Sequence, residues 1–267
     1  MTEAGAVAAQ VVGTVTLRPY VVAFLATYLV IATRDLGARR AAAWLGWGWL
    51  VAFVAEYAST RIGFPFGLYH YTGHTVGQEV FVANVPVFSP LSFPFLSYAA
   101  WCLVRSAGGR SRAWTTVLAG GVLMMLLDVV IDPIAVMGDR WFLGEIFVYP
   151  EPGWYFGVPL TNFAGWVLVG WVIMGGLALT GFAGIPGRVR GTPTAGAALY
   201  YAILLFNLAI TLWIGDVLLF AVGAVLHAAL AVMLWGVRHG VRGPAARAFA
   251  GHLEPAGAAA AKGSVDR

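Results

Sequence analysis

The sequence predicts an all-α, polytopic integral membrane protein of about seven transmembrane helices, with the N-terminus outside and the C-terminus in the cytoplasm. Three observations carry that prediction. The 267 residues are 60% hydrophobic and only 10% charged, against about a quarter charged in ordinary water-soluble domains. The apolar residues gather into runs close to the roughly 20 needed to cross a bilayer core about 30 Å thick. The basic residues fall in alternate gaps between those runs, as expected when cytoplasmic loops carry the positive charge.

The same composition excludes other classes. Aromatics reach 14% and there is one cysteine, Cys102, so neither disorder nor a disulfide scaffold fits. The formal charge of +4 does not mark a nucleic-acid binder, because the arginines lie between apolar runs rather than in a basic patch with loop aromatics. No basic residue precedes Arg18, so the first apolar run is expected to stay as a membrane helix rather than act as a signal peptide.

Taken in order, the expected spans are 12–33, 41–59, 84–104, 114–134, 158–182, 198–214 and 217–237. The last two share one apolar stretch broken by Gly215 and Asp216, read as a tight hairpin turn. Residues 1–237 form a single transmembrane domain in this reading, and 238–267 a disordered cytoplasmic tail. Of the 16 Lys and Arg residues, 13 fall on the cytoplasmic side; Arg18, Arg61 and Arg140 fall on the other. The expected location is the cell membrane, crossed several times.

Two long loops, 60–83 and 135–157, then lie outside. They are dense in Tyr, Trp, Phe, Gly and Pro, which suits chain folded back over a cavity more than a solvated linker. A short internal repeat points the same way, over 44–104 and 114–182. Val85-Pro86 opens the third span and Val158-Pro159 the fifth; Glu56 precedes Pro86 by 30 residues and Asp128 precedes Pro159 by 31.

Acids inside a membrane are costly unless paired, neutral or hydrated, so each is a candidate for function. Glu56, Asp128, Asp132 and Asp216 all fall toward the outer ends of spans, with Asn162 one turn into the fifth span at the same depth. Asp128 and Asp132 are four residues apart and share a helix face. Two carboxyls so close in low dielectric cannot both ionise easily, which leaves an acid able to protonate a weakly basic substrate. Asp132 has a second reading, as a cap for a helical turn opened by Pro133. Glu56 has one as a hydrated interfacial carboxylate. The loop from Gly63 to Tyr71 offers an apolar wall with polar tips through Phe64, Phe66, Tyr69, His70 and Tyr71; anchoring at the membrane surface is the alternative for the tyrosines, and a solvent-exposed ring for His70. His227 reads as a buried structural residue.

No phosphate-binding loop, dinucleotide fingerprint or cysteine-based metal pattern occurs. The one lysine, Lys262, lies in the tail, which excludes a retinal Schiff base and hence an opsin.

The runs Glu56-Tyr57, Gly63-Phe64-Pro65-Phe66-Gly67 and Tyr69-His70-Tyr71, then Asp128 to Pro133, then Trp154 to Trp166 resemble signatures of the membrane carotenoid-biosynthesis proteins, the family of carotenoid 1′,2′-hydratases that includes the gamma-carotene and bisanhydrobacterioruberin hydratases. The resemblance lies in motifs between about residue 44 and residue 182 and elsewhere only in hydropathy. It implies a hydro-lyase that needs no cofactor and no metal and adds water across a terminal double bond of a C40 or C50 polyene. The bilayer, and other enzymes of the carotenoid pathway, are the implied partners. The family's reaction asks for a dry general acid, which the Asp128, Asp132 and Glu56 carboxyls would supply. The aromatic side chains, with Tyr155, Asn162 and Trp166 of the third motif, would line the substrate. Three alternatives stay open on the residues: a membrane lycopene cyclase, which begins with the same protonation; a prenyltransferase using Asp128 and Asp132 with magnesium; and a carotenoid-binding protein without catalysis.

Overall fold

The computed structural model describes residues 3–108, 113–142, 144–180 and 193–240. The expected tail lies outside these residues from position 241 onward. So do Arg110, Arg112, Arg188 and Arg190, four of the basic residues on which the orientation was read.

The chain is mostly helical. Helix α1 runs Glu3–Thr16, α2 Pro19–Leu36, α3 Ala38–Ile62, α4 Ser92–Gly108, α5 Ala113–Ala135, α6 Leu160–Leu179, α7 Thr194–Trp213 and α8 Val217–Arg238. Five of these, α2, α5, α6, α7 and α8, are long and apolar enough to cross a membrane. Of the other two helices expected to span, α3 has 25 residues and α4 has 17.

Helix ends follow local chemistry. Pro19 opens α2, where its missing N–H costs nothing. The expected first span, 12–33, is therefore two helices, α1 and α2, broken at Leu17-Arg18 in front of that proline. Gly63 closes α3 in the left-handed region, its N–H donating to Ser59 O. Asp216 caps α8 by accepting from Leu219 N at 3.0 Å, the standard role of an aspartate at a helix start. The expected third span starts too early. Residues 81–86 form a hairpin of strands β2 (Phe81–Val82) and β3 (Val85–Pro86), then a 3₁₀ turn over Ser89–Leu91 leads into α4. Pro86 biases Val85 before it away from the helical region, and Val85 is extended in β3.

Helix α4 is the middle of the bundle: Phe93, Phe95, Leu96 and every residue from Tyr98 to Leu103 are buried. Helices α5 and α6 form the closest pair, because small residues let their backbones approach. A Cβ built on Gly170 would sit 3.0 Å from Gly121 Cα.

The two long loops cover one end of this bundle and are laced together. Strand β1 (His70–Tyr71) of the first pairs antiparallel with β4 (Phe147–Val148) of the second, His70 opposite Val148 and Tyr71 opposite Phe147. Helix α1 docks on the same loop layer. Gly13 lies against the Gln78 carbonyl, and Thr14 Oγ1 accepts from Val80 N at 3.0 Å. At the α1–α2 break the Arg18 guanidinium forks onto both Glu79 oxygens at 2.6 and 2.8 Å, with both side chains buried, and lies over the Phe88 ring.

Candidate active site

Beneath the laced loops lies a cavity enclosing about 1090 Å³ of empty space, its open mouth included. Helices α2 to α7 and the loop layer all contribute to its lining. Most of that lining is aromatic or aliphatic, and two carboxyl groups, Glu56 and Asp132, interrupt it.

Asp132 belongs to the first acid centre. Asn162, at the start of α6, donates its amide to Asp128 Oδ2 at 2.8 Å and to Asp132 Oδ2 at 2.7 Å. Trp166 Nε1, one turn on, donates to Asp132 Oδ2 at 3.3 Å. One amide thus brings the two carboxyls together, and two carboxyls so close in a dry setting cannot both ionise easily. Asp128 is fully buried behind Asp132 and is not part of the cavity wall. Its Oδ1 has no hydrogen-bond partner. A bare, dry carboxylate oxygen is expensive, whereas the same oxygen on a neutral carboxyl is much less so.

The capping reading of Asp132 does not hold. Helix α5 continues through Pro133 to Ala135, and the Asp132 side chain bonds to α6 instead of to its own helix. Pro133 has no N–H to give Val129 O four residues back. Tyr155 compensates, its hydroxyl donating to Val129 O at 3.3 Å. Tyr155 thus completes the helix and does not line the cavity.

The second centre is Glu56, near the C-terminal end of α3. Tyr71 hydroxyl donates to Oε2 at 2.7 Å and Ser89 hydroxyl to Oε1 at 3.0 Å. The Tyr69 ring packs edge to face on that of Tyr71, 5.5 Å between centroids. Burial first, then the neighbouring Glu56 carboxyl, pushes the Tyr71 phenol well above the ordinary tyrosine range. Burial, with smaller effects of Tyr71 and Glu56, does the same for Tyr69, so both stay hydroxyl donors.

Aromatic faces close the space around both centres. Phe93 and Trp166 stack at 4.3 Å, with Phe66 about 6 Å from each. Phe66 N is held by Ser59 Oγ at 3.0 Å, within the turn that carries the cis Phe64–Pro65 peptide. Tyr69, Phe147 and Tyr149 meet edge to face across the β1–β4 ladder.

Of the residues expected from sequence, Glu56, Phe66, Tyr69, Tyr71, Asp132, Asn162 and Trp166 come together on this wall, and Asp128 lies directly behind it. Phe64 and His70 do not: both are exposed and outside the lining. Asp216 caps α8 and takes no part. Sequence reasoning missed Ser89, Phe93 and Tyr149. Ser89 and Phe93 were findable: they follow Pro86 by three and seven residues, as Asn162 and Trp166 follow Pro159. Among the described residues no three His, Cys, Asp or Glu side chains are grouped to hold a metal ion.

Residues 12–230 match the family described as carotenoid biosynthesis protein. Over 193 residues the chain is 34% identical to a protein of Haloarcula japonica named bisanhydrobacterioruberin hydratase. The match covers 70% of this chain and 60% of that relative's length. No solved structure matches. With a match that runs from α1 to α8 and takes in every acid of the cavity, the chain belongs to the carotenoid biosynthesis protein family.

Proposed function

We propose that this protein hydrates a terminal isoprenoid double bond of an acyclic carotenoid, with the Asp128–Asp132 pair as the proton source. The observation that carries the reading is a pair of buried carboxyls bridged by one amide at the wall of an apolar, aromatic cavity; we read the pair as holding one proton between them. Asp132, the member that faces the cavity, delivers the proton to the less substituted alkene carbon. The π electrons form the new C–H bond and leave a tertiary cation on the other carbon. The stacked Phe93 and Trp166 faces and the neighbouring ring of Phe66 stabilise that cation through their quadrupoles. Water adds to it, and loss of one proton gives the tertiary alcohol. No hydride or group is transferred, so the reaction draws on no cofactor.

The reading includes a topology: seven spans, α2 to α8, with the loop layer and cavity mouth on the non-cytoplasmic side. Arg18, Arg61 and Arg140 on that side and 13 basic residues on the other support it. Labelling single cysteines placed in 72–78 and 150–154 from the outside only is the expected result; labelling from the cytoplasm alone reverses the orientation. Units 44–104 and 114–182 are read as two copies of one motif, supported by the shared spacing of Ser89 and Asn162, and of Phe93 and Trp166, from their prolines.

Expression in a host that accumulates acyclic carotenoids tests the activity. A pigment heavier by one water supports it. A product of unchanged mass indicates cyclisation, a gain of a prenyl unit indicates transfer, and unchanged pigment indicates binding alone.

A further inference from the structure

The geometry assigns Glu56, held by Tyr71 and Ser89, as the base that receives the proton of the attacking water, opposite in role to the aspartate pair. The assignment rests on the hydration reading above and adds to it a division of labour between two carboxyl centres in one cavity.

The hydrogen bonds of the two centres differ in kind. Each oxygen of Glu56 accepts one hydroxyl, from Tyr71 at 2.7 Å and Ser89 at 3.0 Å. Two hydroxyls, one on each oxygen and 3.1 Å from one another, can donate to Glu56 when it is ionised and turn to accept once it has taken a proton, so the centre can receive a proton without rearranging. The aspartates are served more sparsely: one Asn162 amide serves both, and one oxygen has no partner. One centre is therefore arranged to hold a proton and the other to take one.

Chain register supports the pairing. Ser89 and Asn162 stand three residues after Pro86 and Pro159, and each hydrogen-bonds the acid of its own half. Where one half supplies a neutral amide that ties two acids, the other supplies a hydroxyl that solvates one. The stacked pair Phe93 and Trp166, seven residues after the same prolines, lies where the halves meet. An alkene held against that pair faces an acid from one half and a base from the other.

The protons balance. The aspartate pair loses one proton to the alkene carbon. Water forms a C–O bond to the tertiary cation, and Glu56 takes one proton from the resulting oxonium. The alcohol leaves with one C–H and one O–H that the alkene lacked. Transfer of the Glu56 proton back to the aspartates, directly or through solvent, restores the site.

Glu56→Gln in the full chain, in membranes supplied with the acyclic carotenoid and deuterated water, tests the assignment. The glutamine keeps an acceptor and the shape but cannot take the proton. Hydrated product should fall at least about 100-fold. Deuterium should still enter the recovered alkene at a rate comparable to wild-type hydration, because protonation and its reversal need only the aspartates. Near-normal hydration by Glu56→Gln overturns the assignment. So does loss of both hydration and deuterium exchange in a variant that is folded by its elution as a single species in detergent. Should Glu56→Gln fail to fold, Ser89→Ala removes one donor from the base; it should slow hydration and spare exchange, and equal loss of both refutes the role. Wild-type protein that yields no hydrated product refutes the underlying reading, and is distinguished by the wild-type sample alone.

Discussion

Replacing Asp132 by asparagine should abolish hydration without unfolding the protein. The asparagine oxygen can still accept from Asn162 Nδ2 and Trp166 Nε1, which now reach Asp132 Oδ2 at 2.7 and 3.3 Å. Its amide can donate toward Asp128, so the stability change should stay near 1 kcal/mol, the net worth of one hydrogen bond. What disappears is a proton transferable to carbon. General acid catalysis contributes typically 10²–10⁴-fold, or about 3–5 kcal/mol at 1.36 kcal/mol per tenfold. If the two carboxyls share one proton, as proposed, Asp128→Asn should cost about as much, although Asp128 does not face the cavity. It leaves Asp132 beside a donor that stabilises its anion. The double variant should then be no worse than either single one, as for groups that act as a unit. The assay is the ratio of hydroxylated to starting pigment by mass spectrometry, normalised to the amount of protein in the membrane. Near-normal hydration by Asp132→Asn refutes the proton source. Losses that multiply in the double variant refute the shared proton.

Other parts of the structure give further tests. Tyr155→Phe should lower the unfolding midpoint in detergent by an amount matching about 1–2 kcal/mol, since it strands the Val129 carbonyl left by Pro133, while the affinity for pigment stays unchanged. Glu79→Gln leaves Arg18 buried without its anion and should cost about 3–5 kcal/mol; limited proteolysis should then cut in 72–80. Activity should survive a chelator, because hydration needs no divalent ion. Loss in chelator and recovery with magnesium would move the assignment to prenyl transfer.

Much of this was legible in the sequence because a bilayer leaves few options. Apolar runs of helical length placed α5, α7 and α8 to within a few residues, and acids in such runs singled out Glu56, Asp128 and Asp132. The misplacements share a cause. The spans at 12–33 and 84–104 run through Pro19, Pro86 and Pro90, where hydropathy stays high but each proline takes a backbone N–H out of the helical ladder. In the site, long-range geometry was the missing term. Nothing local shows that Pro133 leaves Val129 O to Tyr155, or that Glu79 returns to Arg18 from 61 residues away. Phe64 and His70 share their segment with Phe66 and Tyr69, and only the fold of the turn decides which side chains face inward.

One consequence of the Asn162 clamp concerns the supply of protons. A single amide holds two carboxyls, proposed above to carry one proton between them, and the deeper one is sealed behind the other with an oxygen that touches no donor. The site is thus loaded with one acid equivalent at a time. Asp128 does not reach the cavity wall, so the pair is recharged from the cavity side, by the proton that the attacking water gives up. The proton spent on the alkene is thus replaced from inside the same cavity, and no net proton has to cross its mouth between turnovers.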